Sequence, residues 1–156
     1  VFSDAVVCPV GPDGAITAGA ALAISERGGV GIEEEARSKG PLEPCAALST
    51  APGNLATGAV IHAAIAGPDG AVTAASVGAA LAAALREAEA LEAVTVAVPG
   101  LGCFADGIAA GEAAAAVIEA LAAHEAESVS KIVIADFAEE VVAAFTAELK
   151  RREEED

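Results

Sequence analysis

The sequence predicts a single α/β domain, built in layers around a mixed, largely parallel central sheet. Five short runs along the chain are almost continuously apolar, which is typical of strands covered on both faces. Alanine-rich segments of helical length separate most of these runs, and strands that alternate with helices indicate a parallel sheet. A chain of 156 residues is most simply one domain, which we place at residues 1–150.

The predicted strands, in chain order, are Asp4–Val10, Ala46–Ala51, Ala59–Ile65, Ala93–Pro99 and Lys131–Phe137. The predicted helices are one or two short ones within Ala18–Lys39, broken near Gly28, and then Ala74–Leu91, Ala109–His124 and Glu139–Arg152. The second and third strands are joined by too short a connection for a crossover helix, so they either pair antiparallel or lie apart in the sheet. The charged tail at 151–156 is expected to be the frayed, solvated end of the last helix.

The composition excludes several classes of partner. Eight Lys and Arg residues stand against 24 Asp and Glu, which gives a formal net charge of −16. Such a chain is not expected to bind nucleic acid or an anionic membrane, both of which need clustered cations. Three cysteines make no disulfide framework and no signal peptide is visible, so a cytoplasmic protein is expected. The spacing of Cys and His suggests no metal site, and we expect no cofactor.

A loop-plus-helix segment occurs twice, as "GPDGAITAGAALA" from Gly11 to Ala23 and "GPDGAVTAASVGAALA" from Gly67 to Ala82. Gly-Pro-Asp-Gly favours a turn, because Pro and Gly suit its backbone angles and Asp bonds to nearby N–H groups. Thr17 and Thr73 then occupy N-cap positions. A helix start presents unpaired N–H groups that can bind an anion. Position alone does not decide which copy, if either, holds a ligand.

In a sheet of this kind, ligands bind beyond the carboxyl ends of the strands. One candidate loop follows the first predicted strand and contains the first copy of the turn. The other follows the fourth strand and has the sequence "GLGCFADG" from Gly100 to Gly107. Backbone N–H groups of such a glycine-rich loop can hold a diphosphate without lysine or arginine, which suits an acidic chain.

Several segments together resemble one protein family. "APGNLATGAVIHAA" (Ala51–Ala64), "DAVV" in the first strand, "TVAVPGLGCFADGIAAGEAA" (Thr95–Ala114) and "KIVIADFAEEVVAAF" in the last strand and helix are similar to the corresponding parts of macro domains. The resemblance extends over nearly the whole chain. It implies a three-layer α/β/α sandwich that binds ADP-ribose or a related adenine nucleotide. Some members of the family also hydrolyse ADP-ribosyl esters or O-acetyl-ADP-ribose.

The resemblance also implies which residues contact the ligand. In the first loop and its surroundings these are Cys8, Gly11, Gly19, Ala20 and Ala21, and in the second loop Gly102, Cys103, Phe104, Ala105 and Asp106. Phe137 follows the last strand, where family members often place an aromatic ring near the adenine. Core packing is the competing interpretation of Phe137, and shielding of the loop is the competing one of Phe104.

The chain departs from the family at positions that take part in hydrolysis and ligand binding in active members. Active members carry Asn-Ala-Ala-Asn after the first strand, and the matching positions here are Cys8-Pro9-Val10-Gly11, without an amide. Only Gly19 remains of the glycine run in the first loop. The family's Gly-Glu-Ala or Gly-Asp-Ala motif appears as Cys45-Ala46-Ala47. The strand whose aspartate contacts adenine would precede "DAVV" and is not in this chain, and Asp4 matches a different position.

These departures leave three hypotheses. The favoured one is a module that binds the nucleotide through backbone groups of the two loops, without hydrolase activity and without a catalytic residue. The alternatives are an interaction or structural domain with a decayed cleft, and a residual hydrolase.

Cys103 is the one candidate nucleophile, since a following helix could lower its thiol pKa. A small apolar loop residue is the competing interpretation. The thiols of Cys8 and Cys103 are both expected to face the cleft. His62 lies within a strand pattern and is expected to be buried and hydrogen-bonded.

Overall fold

The computed structural model describes residues 3–11, 19–103, 108–136 and 138–156. Within these ranges the elements are β1 (Ala5–Val10), α1 (Gly19–Gly28), α2 (Gly31–Ser38), β2 (Ala47–Thr50), β3 (Val60–Ala64), α3 (Ala74–Ala90), β4 (Thr95–Val98), α4 (Ala110–Ala123), β5 (Lys131–Ile134) and α5 (Glu139–Glu155). Every predicted strand and helix is confirmed. The segment Ala18–Lys39, predicted to form one or two short helices, forms two, with Gly29 and Val30 between them.

The strands form one sheet in the order β2-β3-β1-β4-β5. β1 pairs in parallel with β3 on one side and with β4 on the other, and β5 continues the parallel part beyond β4. β2 runs antiparallel to β3, with Ala47 opposite Ala63 and Thr50 opposite Val60. The prediction of a mixed, largely parallel sheet is confirmed. The short connection between β2 and β3 produces an antiparallel edge pair.

Helices cover the sheet on both faces. Alternate strand residues such as Val7 and Ile61 pack with α3, α4 and α5 in the larger core cluster. The opposite face, including Cys8 and Val60, packs with Ala21 of α1 and Ile32 of α2 in a smaller cluster. The three-layer α/β/α sandwich is therefore confirmed.

The second copy of the repeated turn forms as predicted. Gly70 has a left-handed φ of 81°, and the Asp69 carboxylate accepts the Ala71 N–H at 3.1 Å. Thr73 caps α3, because its hydroxyl accepts the Ser76 N–H at 3.0 Å. The Ser76 hydroxyl accepts the Thr73 N–H in return, at 2.8 Å. The corresponding turn and cap of the first copy, at residues 12–18, lie outside the described part of the chain.

Two carboxylates join segments that are far apart in sequence. Asp4 accepts the N–H groups of Val94 and Thr95, both at 2.9 Å, and so joins the start of β1 to the start of β4. The bond from the Thr95 N–H is the largest influence that lowers the pKa of Asp4. Near the end of α3, Glu89 accepts the N–H of Ser128 at 2.7 Å, which fixes the approach to β5.

The last helix extends beyond its predicted end. α5 continues to Glu155, so the charged residues after position 150 are mostly helical rather than frayed. The Glu148 carboxylate binds both Arg151 and Arg152 at 2.7 Å. Arg152 also donates to the carbonyl of Ala115 on α4, at 3.4 Å. Among the helices that the structure describes, none has both the length and the apolar character needed to cross a membrane.

Candidate ligand-binding cleft

The carboxyl ends of β1, β4 and β5 lie side by side in the sheet. The chain leaves β1 at Gly11, β4 at Pro99 and β5 at Ala135. The strand order changes direction at β1, since β3 lies on one side of β1 and β4 on the other. Open α/β sheets bind ligands at such a point. The fold therefore makes the region between the loops that follow β1 and β4 the candidate cleft, and ligand binding there stays a prediction.

The described part of the first loop contains the start of α1. Gly19 is the first residue of α1 and has a φ of 63°, a left-handed angle that favours glycine. The first turn of α1 contains no acidic residue to occupy its N–H groups. Gly11 and Ala20 are half-buried, whereas Ala21 is only 3% exposed and packs in the smaller core cluster.

The Cys8 thiol was expected to face the cleft, but it does not. Its side chain is fully buried in the smaller core cluster, on the face covered by α1 and α2. Burial, helped by the nearby Glu33 carboxylate, raises the pKa of Cys8 to about 12. The side chain is thus a neutral packing group, and contact between Cys8 and a ligand stays a prediction.

The described start of the second loop already uses three of its N–H groups. Gly100 donates to the Asp136 carboxylate at 3.1 Å. The N–H of Leu101 bonds to the Pro99 carbonyl at 2.9 Å, and that of Cys103 to the Gly100 carbonyl at 3.4 Å. These three N–H groups are therefore not free to hold a phosphate. The other predicted contacts in this region, Phe104, Ala105, Asp106 and Phe137, lie outside the residues that the structure describes.

Gly102 faces the protein interior. It is buried, with a φ of 78°. A Cβ at this position would lie 2.8 Å from Cγ2 of Val77 and 3.6 Å from Cγ1 of Val72. Close packing against α3 therefore explains the absence of a side chain. A contact between Gly102 and a ligand is not needed to explain the absence of a side chain, and this contact stays a prediction.

The thiol of Cys103 is half-buried, and its pKa moves in the opposite direction to the one expected. Burial raises the pKa to about 11, and the carboxylates of Asp136 and Glu140 add to the effect. The expectation that a helix start lowers this pKa is therefore wrong. Because a thiol attacks as its thiolate, a neutral Cys103 in acidic surroundings is a poor nucleophile.

Asp136 is the residue at this site that the sequence analysis did not identify. Its Oδ2 accepts the Gly100 N–H and its Oδ1 accepts the Ala138 N–H, at 3.1 Å and 3.0 Å. It thus joins the end of β4 to the start of α5. A side chain at Gly100 would collide with Val141, so this junction is closely packed. An acid directly after the last apolar run and just before a helix is the signal that identifies Asp136.

His62 is confirmed as a buried, hydrogen-bonded strand residue. It is 2% exposed, and its Nε2 lies 3.0 Å from the Thr50 hydroxyl. Burial lowers the pKa of His62 to about 4. His62 lies opposite Cys8 in the parallel pairing of β1 and β3, so the two side chains face the same layer of the fold. His62 therefore cannot serve Cys103 as a base. The ranges that the structure covers contain no group of three or more His, Cys, Asp or Glu residues able to hold a metal ion.

Solved structures with this fold include three structures of two similar macrodomains. The Oceanobacillus iheyensis macrodomain with MES bound has a TM-score of 0.80 and 16% identity, and the match covers 100% of this chain and 88% of that one. The same macrodomain with ADP has a TM-score of 0.79 and 16% identity, with coverage of 99% and 86%. The Trypanosoma brucei macrodomain in complex with ADP has a TM-score of 0.81 and 14% identity, with coverage of 94% and 63%. At these identities the likeness concerns the fold.

The sequence itself shows the family. A protein of Aquifex aeolicus (strain VF5), described as uncharacterized, is 33% identical over 146 residues, which are 93% of this chain and 88% of that protein. The family model of the macro domain matches residues 9–117. These residues include the end of β1, both candidate helix starts and the second loop. The resemblance noted in the sequence is thus confirmed, and the chain belongs to the macro domain family.

Proposed function

We propose that this macro domain binds ADP-ribose or a related adenine nucleotide in the cleft beyond β1 and β4, without hydrolysing it. The observation that carries the proposal is that the loops containing Gly11 and Gly100 follow the neighbouring strands β1 and β4, at the point where the strand order changes direction. Similar macrodomains solved with ADP, and one variant solved with ADPR, support the choice of ligand. No cofactor, nucleic acid or membrane takes part in the proposal.

The diphosphate is proposed to bind mainly at the start of α1. This helix start has no acidic residue in its first turn, and a helix N-terminus attracts an anion through its free N–H groups and its dipole. Three N–H groups at the start of the second loop are already bonded within the protein. The second loop is therefore proposed to contribute through residues 104–107, and Phe137 through stacking on the adenine.

A charge placed at either helix start tests this assignment. Ala20→Asp puts a carboxylate in the first turn of α1, where it would compete for the N–H groups and repel the diphosphate. We expect the affinity for ADP-ribose to fall tenfold or more, which corresponds to about 1.4 kcal/mol. The matched control is Ala75→Asp in the exposed first turn of α3, which adds the same charge away from the proposed diphosphate position and should leave the affinity within about twofold. Both variants should fold, because an acid early in a helix is normally tolerated.

Isothermal titration calorimetry with ADP-ribose, AMP and NAD measures these affinities. Equal loss in the two variants would indicate a general field effect of the acidic chain. Loss with Ala75→Asp alone would show that the second copy of the turn lies at the cleft. No binding of any of the three nucleotides to the unmodified protein would overturn the proposal in favour of a decayed cleft.

The protein is expected not to release ADP-ribose from modified protein or from O-acetyl-ADP-ribose. The two asparagine positions of active family members hold Cys8 and Gly11, and neither offers an amide to orient a ribose or a water. Cys8 is also a buried neutral thiol. The measurement is product release followed by chromatography. Turnover clearly above the control without protein would favour the residual hydrolase instead.

We also propose a cytoplasmic location, supported by three cysteines that are all free: Cys8, Cys45 and Cys103.

A further inference from the structure

We propose that the outer groove between α3 and α4 is a docking surface for a basic amphipathic helix of another protein. The groove has a volume of about 900 Å³ and runs from Ala75 and Glu112, near the starts of the two helices, to Glu89 and His124 near their ends. It is called the α3–α4 groove below. The described residues that line it do not include any residue predicted to contact a nucleotide, so this surface is separate from the nucleotide cleft.

The helix α3 has the composition of a covered helix. From Ala74 to Leu85 it contains no charged residue, although charged residues make up 21% of the chain. One side of this segment packs in the core through Val77 and Leu81, but Ala75 and Ala79 on its outer side are exposed. A surface helix normally carries polar residues on its outer side, and a helix that is apolar all round is normally buried. The outer side of α3 is therefore suited to contact with a partner.

Small residues on both helices form the floor of the α3–α4 groove. Gly78 and Ala82 of α3 line it together with Ala115 and Ala120 of α4. The side chains at a contact set the distance between two packed helices, so small residues allow a third helix to come close. The part of α3 that lines the groove extends from Ala74 to Glu89, which corresponds to about 22 Å of helix. A partner helix of about four turns would span this length.

The rim of the α3–α4 groove is negatively charged. Glu112, Glu119, Glu125 and Glu127 line the groove and are exposed. The ion pairs formed within the described residues use none of these four carboxylates. Among the described residues that line the groove, Arg86 is the one Lys or Arg. An apolar floor with an acidic rim complements a helix that has apolar residues on one side and Lys or Arg beside them.

The charge of the rim does not suit a helix from a second copy of this chain. Each helix that the structure describes contains at least as many acidic as basic residues. A second copy would therefore bring like charges to the rim, and like charges brought together across an interface oppose binding. The partner that fits is a helix of a different protein, rich in Lys and Arg.

A designed peptide tests the docking surface. The probe is a peptide of leucine and lysine, about 18 residues long, whose leucines repeat with helical spacing. The matched probe has the same composition in an order that gives no apolar side. Isothermal titration calorimetry should show at least about tenfold tighter binding of the amphipathic peptide. Equal affinity for the two peptides would mean a general attraction between an acidic chain and cations, and would overturn the inference.

Charge removal at the rim tests the proposed complementarity. The double variant Glu112→Gln with Glu119→Gln should bind the amphipathic peptide about fivefold more weakly or worse, and the difference from the unmodified protein should shrink at about 1 M NaCl. The matched control is Glu26→Gln with Glu34→Gln. It removes the same charge from exposed positions on α1 and α2, which cover the opposite face of the sheet, and should leave the affinity unchanged. Equal weakening in the two double variants would overturn the inference.

A longer side chain on the floor tests the position of the partner. Ala79→Gln places a polar side chain in the groove and should also weaken binding of the amphipathic peptide about fivefold or more. Ala143→Gln, at an exposed position of α5, is the matched control and should bind normally. Both variants should fold, because glutamine suits a helix well, and circular dichroism checks this. The glutamate variants carry the test if Ala79→Gln does not fold. Normal binding by a folded Ala79→Gln variant would overturn the assignment of the groove as the docking surface.

Discussion

Gly102→Val is expected to destabilise the fold by about 3 kcal/mol or more. Valine would have to adopt the left-handed φ of 78°, and its Cβ would lie 2.8 Å from Cγ2 of the buried Val77. The backbone strain and the overpacking add, because both arise at the same fixed position. For a chain of this length the melting temperature should fall by roughly 6–12 °C, as measured by thermal unfolding followed by circular dichroism.

Gly111→Ala is the matched control. Gly111 lies in the first turn of α4, and a Cβ there would have no atom within 4 Å. Alanine favours a helix over glycine by up to about 1 kcal/mol, so this variant should melt at the same temperature or higher. If Gly102→Val melted at the normal temperature and lost only nucleotide binding, the glycine would serve the ligand rather than the core.

The free energy of unfolding is expected to fall by up to about 3 kcal/mol between pH 6.5 and pH 4 because of His62. Burial lowers the pKa of this residue from 6.5 to about 4 in the folded protein. Between these values the unfolded chain binds a proton that the folded protein does not bind. The contribution of His62 is thus complete above pH 6.5 and is lost as the pH falls. Urea unfolding at a series of pH values measures this slope.

His62→Leu provides the comparison for this slope. The Thr50 hydroxyl, which contacts the imidazole, also donates to the Ala51 carbonyl at 3.2 Å and so keeps a partner in the variant. All other titrating groups, including His124, remain in both proteins. The variant should therefore show a flatter pH dependence in this range. Parallel curves for the two proteins would contradict the assignment of the slope to His62.

Much of the fold could be predicted because local patterns decide it. The apolar run in "KIVIADF" predicts a buried strand, and Thr73 after a Gly-Pro-Asp-Gly turn predicts the start of α3, which the hydroxyl of Thr73 caps. Strand ends were less accurate: Ala93 and Pro99 were included in β4, which the structure limits to Thr95–Val98. The backbone hydrogen bonds between neighbouring strands determine where each strand ends, and a pattern of apolar residues carries no information about those bonds.

Side-chain directions were harder to predict than the fold, because the thiol of Cys8 was expected to face the cleft and is instead buried in the core. Cys8 and the adjacent Pro9 face opposite sides of β1, and a shift of one residue decides which of them meets the core. Gly102 lacks a side chain because Val77 is close, although the two are distant in sequence. Asp136 likewise acquires its role from Gly100, across two neighbouring strands. Such contacts exist only in the folded chain, so single-sequence patterns could not show them.

The central position of β1 has a consequence for how the chain folds. Asp4, just before β1, bonds to the N–H of Thr95, which is 91 residues further along the chain. During synthesis, β1 therefore waits for one of its two neighbours until β4 has emerged from the ribosome. Contacts across so long a loop slow folding, and an unpaired strand edge is prone to aggregation meanwhile. A nascent chain that ends before β4 therefore exposes one unpaired edge of β1.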